Sequence, residues 1–190
     1  MQIKPKSTSY YSDQNARSGT GANVNSLWQD LIGAGIEFDR KWVVLDIGCR
    51  TGITLSNLWK QGCKNVWGID IGELARDHWK KQNYPFIENL ICDDIHEVDL
   101  TPDFFDLITI SHCLEHLYDP QQILSNMIES LKPNGLLHSI VPIEPEKDFD
   151  KYNPHLVRFE SHQDHIDFYS KLTMVYQRSK NGNSIIICKK

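Results

Sequence analysis

The sequence predicts an α/β domain built on a doubly wound, mostly parallel, seven-stranded sheet, with helices on both faces and a C-terminal antiparallel hairpin. Three observations predict it. Short apolar runs recur at 42–47, 65–70, 86–92, 105–110 and 136–141, and helix-like segments separate several of them. The first three runs are each closed by acid: Asp46, Asp70, and the Asp93-Asp94 pair. Two further strand-like runs, 172–177 and 184–188, flank Asn181-Gly182-Asn183, a composition suited to a hairpin turn.

Taken in order, residues 1–22 are polar and turn-rich, and are expected to be a flexible tail or a flap that orders over a ligand. The remainder, 23–190, is expected to be a single domain. Residues 23–33 form a short helix with Leu27, Trp28, Leu31 and Ile32 on one face. The strand 42–47 runs into a glycine turn, Gly48-Cys49-Arg50-Thr51-Gly52, and then a helix over 53–61 with Gly62 at its C-cap. A helix over 73–82 follows the second strand and stops near Tyr84-Pro85. After the fourth strand, Pro120 sits in the first turn of a helix that runs through Leu131, and Pro133-Asn134-Gly135 ends it. Residues 143–170 form an acceptor-side insertion or lid. Within it, Ser161-His162-Gln163-Asp164 resembles a capping box that opens a helix reaching Tyr169.

Composition narrows the partners. With 190 residues, 40% hydrophobic and 24% charged, the chain can bury a core without staples. A net charge of −5 argues against a sequence-independent grip on nucleic acid, which needs clustered cations. The five cysteines are scattered with no CxxC pair, so reduced thiols and a cytoplasmic address are expected. No run approaches the roughly 18 apolar residues of a membrane span, and the N-terminus has no signal-peptide core. The sequence gives no oligomeric state.

The chemistry gathers at the strand ends. In doubly wound sheets these ends line the crevice where ligands bind. Gly48 and Gly52 let backbone approach a ligand where a Cβ would intrude. Asp70 follows Asp46 by 24 residues (70 − 46), close to the separation of about 20 expected for a carboxylate on a ribose diol. The pattern Asp46-x-Gly48-x-x-x-Gly52 is not the G-x-G-x-x-G of dinucleotide sites. An acid two residues before the first glycine would repel a pyrophosphate but suits a cationic, phosphate-free nucleoside such as S-adenosylmethionine.

Five segments in register carry a resemblance over residues 40–142. They are Val44-Leu45-Asp46-Ile47-Gly48-Cys49-Arg50-Thr51-Gly52, Val66-Trp67-Gly68-Ile69-Asp70, Asp93-Asp94-Ile95, the run from Phe105 to Pro120 containing Ser111-His112-Cys113-Leu114-Glu115-His116, and Leu131-Lys132-Pro133-Asn134-Gly135-Leu136-Leu137. The chain thus resembles the class I S-adenosylmethionine-dependent methyltransferases, in particular the small-molecule branch typified by ubiquinone and menaquinone biosynthesis enzymes. The resemblance implies a Rossmann-like fold, S-adenosyl-L-methionine as cofactor, and in-line methyl transfer to a small-molecule acceptor. It implies that Asp46, Gly48 and Gly52, with Cys49 and Arg50 between them, frame the methionine moiety. Asp70, followed by Ile71, holds the ribose; Asp94 and the Ile95 backbone meet the adenine, with Asp93 assisting; Ser111 and His112 lie near the reacting methyl.

One position departs from the family. Arg50 stands where glycine is usual, so its side chain either is accommodated by the turn or leaves a cofactor-binding module without turnover. A nicotinamide-dependent oxidoreductase is a third reading, opposed by the glycine spacing. His112 and His116, four apart, would share a helical face as proton acceptors or as structural histidines. His155, His162 and His165 cluster with Asp164 in the segment that resembles an acceptor lid, and His155 is the candidate there. No metal is expected, because no third ligand beside His112 and His116 is evident.

Overall fold

The computed structural model describes residues 24–145 and 155–190. The predicted flap over 1–22 lies outside the described residues, as do residues 146–154 of the predicted lid. Among the described residues the elements run α1 Val24–Gly33, β1 Val43–Ile47, α2 Ile53–Lys60, β2 Asn65–Ile69, α3 Glu73–Gln82, β3 Leu90–Ile91, β4 Phe105–Ser111, α4 Pro120–Ser130, β5 Leu131–Pro142, α5 His162–Phe168, β6 Thr173–Lys180 and β7 Asn183–Lys189. The seven strands form one sheet in the order β3-β2-β1-β4-β5-β7-β6. The first five strands are parallel, and β7 lies antiparallel between β5 and β6.

Alternation along the buried strands fills both faces. Leu45 and Ile47 of β1 pack with Ile108 and Ile110 of β4 against Ile123, Leu124 and Met127 of α4. Val44 and Leu107 point the other way, into a cluster with Leu27 and Leu31 of α1, Leu55 and Leu58 of α2, and Trp79 of α3. Each fully buried aliphatic side chain of this kind is worth about 1.5–3 kcal/mol. The chain leaves β1 outward to β3 and returns on the other side of β1 as β4. The crevice therefore opens between the C-terminal ends of β1 and β4.

Three expectations need correction. The run 86–92 is strand only at Leu90–Ile91, with a 3-10 turn at Ile87–Asn89 before it. Its apolar character serves a ring cluster instead: Phe86 is buried, stacks on Tyr84 at 4.9 Å and lies 5.5 Å from Trp59. The helix before β5 ends at Ser130, and Leu131 turns extended to pair with Phe105, so β5 begins five residues earlier than 136. The Pro133-Asn134-Gly135 stretch lies inside β5, where the register with β4 shifts and Asn134 takes φ 67°. Finally, Ile32 does not share the buried face of Leu27 and Leu31; it is 74% exposed. Trp28 packs edge-on against Phe38 at 4.6 Å.

The other signals are realised. The capping box is formed reciprocally by Ser161 and Asp164. Asn181 and Gly182, with φ 52° and 75°, make a two-residue turn between the paired Lys180 and Asn183. Beneath the β4–β6 side runs a buried polar brace. Thr109 bonds His138 Nδ1 at 3.1 Å, His138 Nε2 bonds Asp30 at 3.0 Å, and Arg178 Nε bonds Asp30 at 2.6 Å.

Candidate functional site

The glycine turn after β1 is shaped by what surrounds it. The backbone N–H groups of Gly48 and Cys49 both donate to the Ile69 carbonyl, at 2.8 and 3.1 Å, which folds the turn over the end of β2. Gly48 has φ 72°, and a Cβ there would sit 2.8 Å from the Cys113 Cβ, so position 48 excludes side chains on two counts. Gly52 also has positive φ. Trp79 Nε1 of α3 donates to the Arg50 carbonyl at 2.6 Å, and Tyr84 OH, just past α3, donates to that of Thr51 at 3.1 Å. Neither aromatic was singled out from the sequence. The signal for Trp79 was its i, i+4 spacing from Ala75, the other buried residue of α3.

Arg50 keeps the backbone conformation that glycine would supply, φ 49°, at a cost of about 1–2 kcal/mol for an L-residue. Its amide is engaged: Arg50 N–H donates to Asp70 Oδ2 at 2.8 Å, while Gly72 N–H donates to Asp70 Oδ1 at 2.8 Å. Asp70 thereby ties the first crossover loop to the second, and each oxygen retains a further lone pair for a ligand. Burial pushes its carboxyl up, against the lowering pull of the two amides and the Arg50 charge. Ile71 is half-buried beside it.

Asp46 differs. It is 6% exposed, and no hydrogen bond to its carboxylate forms among the described residues. Burial and the neighbouring Asp70 push its pKa up to about 8. A buried acid this reluctant to ionise would be driven towards its charged form by a cation placed beside it. Burial likewise holds the Cys49 and Cys113 thiols well above their usual range, so both are inert filling.

At the end of β3, Asp94 caps a 3-10 turn, Ile95–Glu97, accepting from His96 N–H at 3.0 Å and bonding His96 Nδ1 at 2.7 Å. His96 stacks on Tyr118 at 3.6 Å, a pair the sequence reading did not single out. Asp93 is exposed and accepts from the Asp94 amide. The side chain of Ile95 is buried in the core, leaving its backbone for any ligand contact.

Beyond β4, Ser111 is half-buried at the strand end, and His112 takes φ 49°. The His112 ring is half-exposed, with Nδ1 3.6 Å from Glu115 Oε1. Glu115 is 1% exposed, and its Oε2 has no hydrogen-bond partner among the described residues. Its carbonyl accepts from the amides of Leu156 and Val157 at 2.7 and 3.0 Å, which pins the chain after 154 onto this turn. Glu115, His116 and His155 thereby converge, with one ligand atom from each lying within 4.8 Å of the others. His155 Nδ1 bonds Glu144 Oε2 at 2.7 Å. His162 and His165 are elsewhere. His165 lies buried between Ser139 and Ser184, 2.9 and 2.7 Å away, and burial lowers its pKa to about 3; His162 bonds Ser184. The sequence therefore grouped three histidines of which only His155 reaches the crevice-side cluster, and it assigned no role to Glu115 or Glu144.

The strand order, with β7 inserted antiparallel between β5 and β6, defines the class: a Rossmann-like domain of the methyltransferase type. Within that class the chain belongs to the methyltransferase-domain family, which matches residues 16–182. The cofactor that this family implies is S-adenosyl-L-methionine. The chain is 36% identical over 98 residues to a ubiquinone biosynthesis O-methyltransferase from Coxiella burnetii, a match covering 50% of this chain and 41% of that relative. The chain thus aligns with less than half the length of that relative. Its fold is similar to a SAM-dependent methyltransferase from Aquifex aeolicus, with TM-score 0.70, 16% identity, and 97% and 98% of the two chains covered. It is also similar to the [4+2]-cyclase SpnF, with TM-score 0.72, 11% identity, and 88% and 79% covered.

Among the described residues no helix is long and apolar enough to cross a membrane.

Proposed function

We propose that this chain transfers a methyl group from S-adenosylmethionine to a small-molecule acceptor, with the cofactor in the crevice between β1 and β4. The observation that carries this reading is Asp46, a buried acid with no side-chain hydrogen bond among the described residues, beside a glycine turn at the mouth of the sheet. When bound, the cofactor supplies an electrophilic methyl on a cationic sulfur. Asp46 answers the positive aminoacyl end, with Gly48, Cys49, Arg50 and Gly52 giving the close backbone approach. Asp70 presents its remaining lone pairs to the ribose hydroxyls. Asp93, Asp94, Ile95 and Ile71 border the adenine. Ser111 and His112 lie at the end of β4, between the cofactor and the cluster of His116 and His155.

The residues beyond β4 then do what methyl transfer requires of a protein: they align an acceptor, keep water away and receive its proton. The His155–Glu144 pair suits proton acceptance, because a carboxylate 2.7 Å from Nδ1 orients the imidazole as it does beside a general base. The ubiquinone-enzyme resemblance favours a hydroxyl-bearing aromatic acceptor. A second reading, cofactor binding without methyl transfer, is favoured by the strained Arg50 and by the cyclase that shares the fold.

Calorimetric titration with S-adenosylmethionine, S-adenosylhomocysteine and NADH separates these readings. The proposal expects binding of both sulfur nucleosides and none of NADH. Binding of neither sulfur nucleoside overturns it, and binding without turnover across phenolic and catecholic acceptors selects the second reading.

A further inference from the structure

We propose that His96 is a positioning residue for the cofactor's adenine: it holds the Asp94 carboxylate so that this acid accepts from the 6-amino group, and the site thereby selects adenosyl over 6-oxo (inosyl) compounds. The inference deepens the proposed function and rests on its placement of S-adenosylmethionine. His96 lies in the 3-10 turn Ile95–Glu97 after β3. Its ring is sequestered, with 2% of the side chain exposed, and both nitrogens are engaged. Nδ1 meets Asp94 Oδ1 at 2.7 Å, and Nε2 accepts from the Asp119 N–H at 3.4 Å. A backbone N–H can only donate, so Nε2 carries the lone pair and Nδ1–H donates to the carboxylate. One ring thus ties the loop after β3 to the N-cap of α4, where the Asp119 side chain accepts from Gln122 N–H at 3.0 Å.

Two observations favour positioning over simple packing. Filling the space against Tyr118, which stacks on the ring at 3.6 Å and 18°, would need only an apolar ring. Instead the histidine brings a second donor to the Asp94 oxygen that already accepts from His96 N–H at 3.0 Å. Both donors fall on Oδ1. Oδ2 takes no hydrogen bond among the described residues, and 25% of the Asp94 side chain stays exposed. In the next residue, the Ile95 N–H also has no partner among the described residues, while the Ile95 side chain is anchored in the buried cluster of Leu117 and Ile123. An acceptor followed by a donor complements the edge of adenine, whose 6-amino group donates and whose N1 accepts. Hypoxanthine reverses both polarities, since its C6 oxygen accepts and its N1–H donates. Without Nδ1–H the carboxylate loses one of the two bonds that fix its rotation, and the pair no longer reads that edge.

The test measures, by calorimetry on the full chain, binding of S-adenosylhomocysteine and of its 6-oxo counterpart, S-inosylhomocysteine. The wild type should prefer the adenosyl compound about tenfold or more, the scale of a hydrogen bond to a charged group. His96→Ala should bring that preference to about threefold or less, a change that general loosening of the fold would not produce, because it weakens both compounds alike. His96→Asn, whose amide offers a donor near the place of Nδ1 and nothing near that of Nε2, should retain most of the preference. A wild-type preference in folded His96→Ala overturns the proposal, as does its loss in His96→Asn. If His96→Ala does not fold, NMR of the wild-type imidazole nitrogens decides: a protonated Nδ1 with a bare Nε2 is expected, and the opposite tautomer overturns the proposal. Equal binding of both compounds by the wild type overturns this proposal alone, whereas binding of neither overturns the cofactor reading with it.

Discussion

The two sides of the crevice are built by different means. On the β1–β2 side backbone groups do the holding. Asp70 takes the amides of Gly72 and Arg50, and the glycine turn hangs from one carbonyl of β2. On the β4–β6 side, side chains hold one another: Asp30 with His138 and Arg178, Glu144 with His155, His165 with Ser184. Backbone devices leave a fixed spacing of glycines and acids in the sequence. Side-chain pairs leave none. On the proposed function, the first side receives the cofactor and the second the acceptor.

The largest expected effect breaks the side held by side chains. Asp30→Ala strands Arg178 and His138, and loss of one member of a buried charged network costs about 3–5 kcal/mol. Chemical denaturation should show that loss. A fall under 1 kcal/mol would mean that the brace is ornamental. Next, Asp70→Ala should weaken S-adenosylmethionine binding by about 1.5–3 kcal/mol, the scale of charged hydrogen bonds, measured by calorimetry. An unchanged dissociation constant would assign Asp70 to loop tethering alone.

Asp46 gives a pH-dependent test. Its folded pKa, about 8, lies above the ordinary 3.8. Between those values the folded state holds a proton that the unfolded chain has released, so this group's contribution to stability falls as pH rises from about 4 to 8 and is level beyond. Asp46→Asn should therefore gain thermal stability relative to the wild type as pH rises across that window, while losing cofactor affinity. A constant difference in midpoint from pH 5 to 9 would contradict the burial argument. The smallest effect is expected from Arg50→Gly. Relief of the left-handed backbone, less the entropy glycine adds to the unfolded chain, should stabilise by about 0.5–1 kcal/mol. A destabilised variant would show that the Arg50 side chain contributes more than its backbone costs.

The sequence was legible where local physics sets the structure. The strand carrying Asp46, the turn needing Gly48, the capping box at Ser161 and the Asn181-Gly182 hairpin could each be read from a few consecutive residues. It misled where tertiary packing decides. Phe86 looked like strand because it is apolar, yet it serves a cluster of rings. The histidines at 155, 162 and 165 looked like one group, but α5 turns His165 into the core. Glu115 gave no sign of its burial, because an acid beside a histidine reads as a solvated turn until the chain after 154 is seen to cover it.

The most direct test is calorimetry of S-adenosylmethionine binding at pH 7 in buffers of different ionisation enthalpy. With its pKa near 8, Asp46 is mostly protonated in the free protein, and a cation beside it favours the ionised form. Binding should therefore release a substantial fraction of one proton in the wild type and much less in Asp46→Asn. Binding without proton release, or release unaltered by Asp46→Asn, would contradict the assignment of this buried acid to the cofactor's positive end.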